Sequence, residues 1–278
     1  GNLMSSGGIA RRLVNFFDAL IGHVTGGLGM VTIIVCMFFA AISGSAVATV
    51  SAVGAFMIPE MVDHGYNKPF SAALTAAAGT IGVIIPPSIP FVIYGVVSGT
   101  SITDMFTAGF MPGIMMGAAL MIVCYFVSKK NGYRGKEKAS SAKEIWVAFK
   151  DAFWAILSPV IILGGIYSGF FTPTEAAVIS VVYSFIVGVF VYKELDVRGA
   201  YKSFKDAIVV NGATTFMVGF STVFAAFLTM AQIPNMIAQG ILGLTGNAIL
   251  ILLIINIFLL IVGMFVDNIP ATIILTPI

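Results

Sequence analysis

Charged side chains are scarce in this chain of 278 residues: 9% are Asp, Glu, Lys or Arg, while 59% are hydrophobic. Soluble domains carry about 25% charged residues. This chain could not cover a water-facing surface, and a soluble enzyme is excluded. The mean hydropathy of +1.04 points the same way. Fourteen basic against twelve acidic residues give a formal +2, too little for a phosphate-binding surface, so nucleic acid is not an expected partner. Cysteine and histidine number two each. Cys36 and Cys124 lie in apolar runs and read as small buried hydrophobes. His23 and His64 share no metal-ligand spacing, and there is no nucleophile–base pair, P-loop or zinc pattern. The N-terminus has no basic stretch leading into an apolar one, so no signal peptide is expected. Ala271–Ile278 is still largely apolar, which suggests a fragment that stops at membrane depth.

What the sequence does contain is apolar spans separated by clustered basic residues. Eleven of the fourteen basic residues fall between Lys129 and Lys150 or between Lys193 and Lys205. Lys/Arg-rich short loops mark the cytoplasmic side. Between them Asp151–Tyr192 has no basic residue and is long enough for two spans of about 20 residues each. Its midpoint, Thr172-Pro173-Thr174-Glu175, reads as an N-cap, a Pro at the first helical position and a capping acid. This predicts a helical hairpin with an outward tip, and a cap accounts for Glu175 more simply than catalysis does. Around Trp146, Glu144–Phe153 reads as an amphipathic segment at the inner interface.

Working backwards, Asp104–Val127 is one span, Ser98–Thr103 lies outside, and Phe70–Val97 must cross from inside to outside. That crossing contains Ile85-Pro86-Pro87-Ser88-Ile89-Pro90. Three such prolines cannot continue a helix, so two half-helices with an unwound middle are predicted. Unwound backbone survives at membrane depth only beside protein or a water-filled cavity. Before it, Val31–Ile42 and Ala46–Ile58 flank Ser43-Gly44-Ser45. Each arm is about a dozen residues, short for a span, which predicts a re-entrant hairpin opening to the cytoplasm. With Arg11, Arg12 and Lys68 beside it, all fourteen basic residues then lie inside.

The second half repeats this order. Ala207–Met230 crosses outward, Ile233–Asn247 carries no charge, and apolar Ala248–Val266 leads into Asp267-Asn268-Ile269-Pro270-Ala271-Thr272. Thirty-four residues separate Ile9 from Ser43, and the same number separates Ile233 from Asp267. Similar triplets, Ala48-Thr49-Val50 and Ala271-Thr272-Ile273, follow the two polar knots. One unit opening inward and the other outward is the mark of an inverted-topology repeat. The fold expected is an all-α polytopic membrane protein with inverted repeats, re-entrant hairpins and a broken helix. Its organisation is an interfacial arm at 1–30 and a first repeat at 31–128, made of hairpin 31–58, broken helix 70–97 and span 104–128. A cytoplasmic loop at 129–150, a scaffold hairpin and loop at 151–206, and a second, truncated repeat at 207–278 follow.

Ser43-Gly44-Ser45 with Thr49 brings hydroxyls and exposed carbonyls to a hairpin tip, which suits a hard cation such as Na⁺. Small residues also let helices pack closely, and only the pairing with Pro86-Pro87-Ser88 favours a site: two facing breaks supply carbonyls and helix ends at one depth. Asp267 is the one acid inside an apolar run with no basic neighbour in sequence. An intramembrane carboxylate is a functional candidate, although Asp-Asn before Ile-Pro is also good turn chemistry. Thr214, Thr215, Thr229 and Gln232 are weaker candidates for a polar seam.

Several runs resemble one family. Gly7-Gly8-Ile9-Ala10-Arg11-Arg12-Leu13, Phe39–Thr49, Ile85–Pro90, Gly109-Phe110-Met111-Pro112-Gly113, Phe171–Ala177 and Gly263-Met264-Phe265-Val266-Asp267 are similar, in order, to the large membrane subunit of tripartite ATP-independent periplasmic (TRAP) transporters. Members are longer at both ends and carry a second Pro-Pro-broken span. The resemblance implies the elevator architecture of the ion-transporter superfamily, in the bacterial inner membrane, and no enzyme activity. It implies Na⁺-coupled import of an organic acid, such as sialic acid, another sugar acid or a dicarboxylate. A periplasmic binding protein would deliver the substrate, and a small membrane subunit, separate or fused, would brace the scaffold. By motif, Ser43, Ser45, Pro86 and Ser88 would hold the first Na⁺, with carbonyls of Gly79 and Val83. Asp267, Asn268 and Thr272 would contribute to a second. The substrate would meet Ser43, Ser45, Pro87, Ser88, Asp267 and Asn268. A proton-coupled carrier or Na⁺/H⁺ antiporter without a binding protein stays open as the alternative, as does a channel.

Overall fold

The computed structural model describes residues 3–4 and 7–277, and every regular element among them is helical. The chain divides into two compact units, Gly1–Ile89 with Thr103–Ala207, and Pro90–Ile102 with Ile208–Ile278.

In the first unit, α1 (Ile9–Ile21) follows Gly8, which takes a left-handed φ of 74°. Its apolar positions Ile9, Leu13, Val14 and Phe17 recur at helical spacing and are all buried. Then come α2 (Gly27–Ser43), α3 (Ala46–Asp63), α4 (Lys68–Gly79) and a single 3₁₀ turn, Thr80–Val83. α5 (Ile89–Ser98) leaves this unit after its first residue, and α6 (Ile102–Asn131), α7 (Ala142–Tyr167) and α8 (Pro173–Ile186) complete it. α8 runs on through a π turn to Val191, and α9 (Val197–Met230) passes from this unit into the second. The second unit continues with α10 (Ile233–Leu244), α11 (Ala248–Gly263) and α12 (Asn268–Leu275). Among the described residues, five helices are long and apolar enough to cross a membrane: α3, α6, α7, α8 with its π turn, and α9.

Close packing, not removal from water, binds helices to one another in lipid, and small residues permit it. Here Gly113 of α6 meets the broken segment and Gly117 meets α2. A Cβ on Gly113 would lie 2.4 Å from Ile85 Cγ1, and one on Gly117 would lie 2.3 Å from Met37 Sδ. On α2, a Cβ at Gly29 would lie 2.5 Å from Cys124 Sγ. Val31, Val35 and Phe39 of α2 pack with Val53, Met57 and Met61 of α3 in a fully buried core.

Ion pairs tie α1 to α7 and to the segment after α8. Arg12 donates to Asp151 at 3.1 Å and pairs with Glu194 at 2.8 Å, while Arg11 reaches the same Glu194 oxygen at 2.9 Å. The Arg12 guanidinium also lies 3.8 Å from the centre of the Tyr192 ring. Desolvation pulls its pKa down, but the hydrogen bonds with Glu194 and Asp151 outweigh that and leave it above the usual arginine value. Tyr192 donates to the Asp151 carbonyl at 3.0 Å and accepts from Ala155 N at 3.1 Å, and burial pushes its hydroxyl up to about 12. The segment after α6 clamps the α1–α2 turn: Lys136 pairs with Asp18, Lys136 N donates to Gly22 O at 2.9 Å, and Gly26 N donates to Tyr133 O at 3.1 Å. The Tyr133 ring stacks on Tyr66, centroids 4.3 Å apart, and its hydroxyl accepts from Asn67 N at 3.1 Å.

Three boundaries differ from those expected. The hairpin arms are 17 and 18 residues, not a dozen, because both helices run past their apolar stretches; α3 even accommodates Pro59 and Glu60. Length alone therefore does not keep α3 from spanning. α7 starts at Ala142, inside the expected loop, since the Ser141–Glu144 capping box opens the helix well before the sequence turns apolar. Likewise α9 starts at Val197, where Asp196 Oδ1 accepts from Gly199 N at 2.7 Å. In each case caps, not the polarity change, set the helix start.

Candidate functional site

The hairpin tip is built by two caps back to back. α2 ends where Gly44 adopts φ 62°, with its N–H bonded to Ala40 O, and Ser45 in extended conformation starts α3. Ser45 Oγ accepts from Ala48 N at 3.4 Å. Three oxygens then converge. Thr49 Oγ1 donates to Ser45 O at 2.8 Å, Ser43 Oγ lies 2.8 Å from Thr49 Oγ1, and Ser43 Oγ lies 3.3 Å from Ser45 O. Thr49 is fully buried.

The broken crossing faces this tip. After Gly79 the helix tightens into the 3₁₀ turn, and the chain then unwinds through Ile84–Ser88, where the Pro86–Pro87 peptide is cis. Buried Ser88 donates from its hydroxyl to Val83 O at 2.6 Å. Ile89 N, at the head of α5, donates to Gly44 O at 3.2 Å, so tip and break are hydrogen-bonded. Bare glycines make the approach possible. A Cβ on Gly44 would sit 2.5 Å from Pro87 O. On Gly82 it would sit 2.7 Å from Thr49 Oγ1 and 2.9 Å from Ser45 O, and on Gly79 it would strike the Val50 side chain at 2.0 Å.

Three helix ends and Ile89 therefore meet within one small volume. The C-terminal ends of α2 and of the α4–3₁₀ segment bring carbonyls and negative partial charge, which favour a cation. The N-terminal end of α3 brings positive partial charge, which favours an anion. Every side chain at the contact is neutral. Neutral hydroxyl and carbonyl oxygens suit a hard monovalent cation, and among the described residues no group of three or more His, Cys, Asp and Glu could hold a metal.

Of the residues predicted from sequence, Ser43, Ser45, Val83, Pro87 and Ser88 come together here. Pro86 is buried in the unwound segment, and Gly79 borders the site through Val50. Gly44 and Gly82 carry the contact itself, which the sequence reading did not assign. Their signal was a glycine at each polar break. Asp267, Asn268 and Thr272 belong to the second unit. There Asp267 precedes α12 in extended conformation, exposed and without a capping bond from its side chain, and Ala271 N donates to its carbonyl at 3.1 Å. Thr272 Oγ1 donates to Asn268 O at 2.7 Å, an ordinary bond within a helix. Thr214 and Thr229 likewise donate to carbonyls four residues back. Glu175 is spent on its cap: Thr172 N donates to Glu175 Oε2 at 2.8 Å. His64 is exposed and its Nδ1 lies 2.8 Å from Glu60 O.

Tip and break thus face one another over neutral oxygens. Comparison with known proteins gives the class directly. Residues 1–278 match the family described as tripartite ATP-independent periplasmic transporter, DctM component, and the chain belongs to that family. It is 47% identical over its whole length to the isethionate TRAP transporter permease protein DctMQ of Oleidesulfovibrio alaskensis, covering 44% of that protein. It is 42% identical to the sialic acid TRAP transporter large permease protein SiaM of Vibrio cholerae and 41% identical to the C4-dicarboxylate TRAP transporter large permease protein DctM of Pseudomonas aeruginosa. It spans 65% of each of those two proteins.

Proposed function

We propose that this chain forms the ion- and substrate-carrying part of a secondary importer that couples Na⁺ to the uptake of an organic acid. The observation that carries this reading is the contact of the Ser43–Thr49 tip with the Gly82–Ile89 break. Na⁺ would be held by Ser43 and Thr49 hydroxyls and the Ser45 carbonyl, with backbone carbonyls of the unwound segment. Binding there neutralises the carbonyl ends and draws the tip against the break. The amide end of α3 is then presented to an acidic group of the substrate, and buried Ser88 keeps the break in shape. Ion and acid thereby strengthen each other's binding, a coupling that must be reciprocal. In the relatives, the names specify a sulfonate, a sugar acid and dicarboxylates. What these share is an organic anion, and that is the substrate class proposed.

The rest of the reading follows from the family and the charge pattern. The repeated order of arm helix, hairpin and polar knot supports inverted repeats. Asp267, Asn268 and Thr272 would serve a second Na⁺ site in the second repeat. The basic residues face the cytoplasm across the bacterial inner membrane, and α7–α8 belong to a static scaffold past which the hairpin and broken helix move as an elevator. A periplasmic binding protein delivers the acid, and a small membrane subunit, separate or fused, supports the scaffold.

The test is uptake of radiolabelled isethionate, sialic acid or a C4-dicarboxylate into proteoliposomes holding the assembled transporter, with a Na⁺ or choline gradient and with or without its binding protein. Uptake that requires both Na⁺ and the binding protein supports the proposal. Uptake driven by a pH gradient without the binding protein contradicts it and favours a proton-coupled carrier using Asp267.

A further inference from the structure

In its first turns α7 carries lysines and aromatics together on the face turned away from the packed core. Its inner face is a regular stripe, Ala152, Ala155, Pro159, Ile162 and Ile166, all buried. On the opposite face, at the spacing of successive turns, stand Lys143, Trp146, Lys150, Phe153 and Trp154, every one exposed. Lys150 Nζ lies 5.4 Å from the Trp146 ring centre, and the Trp146 ring stacks on Phe149 at 5.6 Å. The row is tied to the arm through Phe16, 5.8 Å from Phe149. An exposed aromatic row would fit either lipid or a protein partner. Lysines decide the matter: they are depleted where proteins meet, whereas Trp beside Lys at one height is the composition of a membrane interface. The residues leading into the helix add to the charge, since 129–141 holds five basic residues against one acidic.

We infer that this face of α7 is a recognition surface for acidic phospholipid, with Lys143 and Lys150 on the headgroup phosphates and Trp146 and Phe153 against the upper acyl chains. The surface selects anionic over zwitterionic lipid and anchors the base of α7, and with it the Arg12–Asp151 junction that holds the arm. This inference rests on the membrane reading of the chain, but not on which ion or substrate is carried.

The chain holds two tryptophans, both on this helix, so its fluorescence reports the site. In the Trp154→Phe protein, assembled in nanodiscs, Trp146 emission is measured with brominated phosphatidylglycerol or brominated phosphatidylcholine at equal mole fraction. The brominated phosphatidylglycerol is expected to quench more strongly than its mole fraction warrants, with enrichment beside Trp146 of up to about thirtyfold, about fivefold for each of the two surface lysines. Lys143→Gln/Lys150→Gln is expected to remove that preference and leave quenching by the phosphatidylcholine unchanged. Equal quenching by both lipids in the parent protein overturns headgroup recognition while leaving the interfacial placement intact. Quenching by neither shows the face covered by protein and overturns both. A preference that survives the double substitution, in protein that still elutes as a single species, removes the lysines from the account.

Discussion

Gly82→Ala is the sharpest probe of the contact between hairpin tip and break. Gly82 lies in the 3₁₀ turn at a negative φ, so alanine is free of backbone strain and its whole effect is steric. The new methyl would stand 2.7 Å from Thr49 Oγ1 and 2.9 Å from Ser45 O, against about 3.4 Å for ordinary contact. Two of the three oxygens proposed to hold Na⁺ must therefore retreat by about half an ångström or more. Overpacking of this kind costs about 1–3 kcal/mol. With tenfold per 1.4 kcal/mol, the Na⁺ concentration for half-maximal uptake should rise by about 5- to 150-fold. Gly54→Ala is the control: in the same hairpin its methyl would meet only side-chain ends, Thr75 Cγ2 at 3.2 Å and Ile58 Cδ1 at 3.4 Å. It should change half-saturation by no more than about twofold. The assay is Na⁺-dependent uptake in proteoliposomes at matched protein density. If Gly82→Ala and Gly54→Ala behave alike, the tip–break contact does not form the ion site.

Other substitutions separate the parts of the account. Thr49→Val keeps the shape and removes the hydroxyl that joins Ser43 to Ser45 O; a lost charge-assisted bond of about 1.5–3 kcal/mol should weaken Na⁺ affinity by about 10- to 150-fold. Asp267→Asn should reduce the Na⁺:substrate ratio measured by reversal potential while leaving the first site's affinity unchanged; an unaltered ratio removes Asp267 from ion binding. Arg12→Gln strips the partly buried cation from Glu194 and Asp151 and should cost about 1–3 kcal/mol of thermal stability, whereas the more exposed Arg11→Gln should cost less than about 1 kcal/mol. Thr172→Ala removes the α8 cap and should cost about 1 kcal/mol without affecting Na⁺ dependence.

The helical class, the apolar stretches of α6 to α9 and the break at Pro86-Pro87 were legible because each rests on a local rule: composition, apolar length or the missing proline donor. So was the Thr172–Glu175 cap. Helix starts at Ala142 and Val197 were misplaced because one serine or aspartate cap overrides the change in polarity that the eye follows. The contact that forms the candidate site was half legible. Ser43, Ser45 and Ser88 announce themselves as polar residues in apolar runs, but Gly44 and Gly82 act by lacking a side chain, and their role exists only once two distant segments touch. The Arg12–Glu194–Asp151 cluster joins residues more than a hundred positions apart, which no spacing in the sequence reveals.

The central claim is that a cation and an acid bind at this contact and strengthen one another. Equilibrium binding of ²²Na⁺ to the purified transporter, with and without saturating organic acid, tests it most directly. The account predicts tighter Na⁺ binding in the presence of the acid and weakened Na⁺ binding in Thr49→Val and Gly82→Ala. Na⁺ binding that ignores both the acid and these substitutions would contradict it.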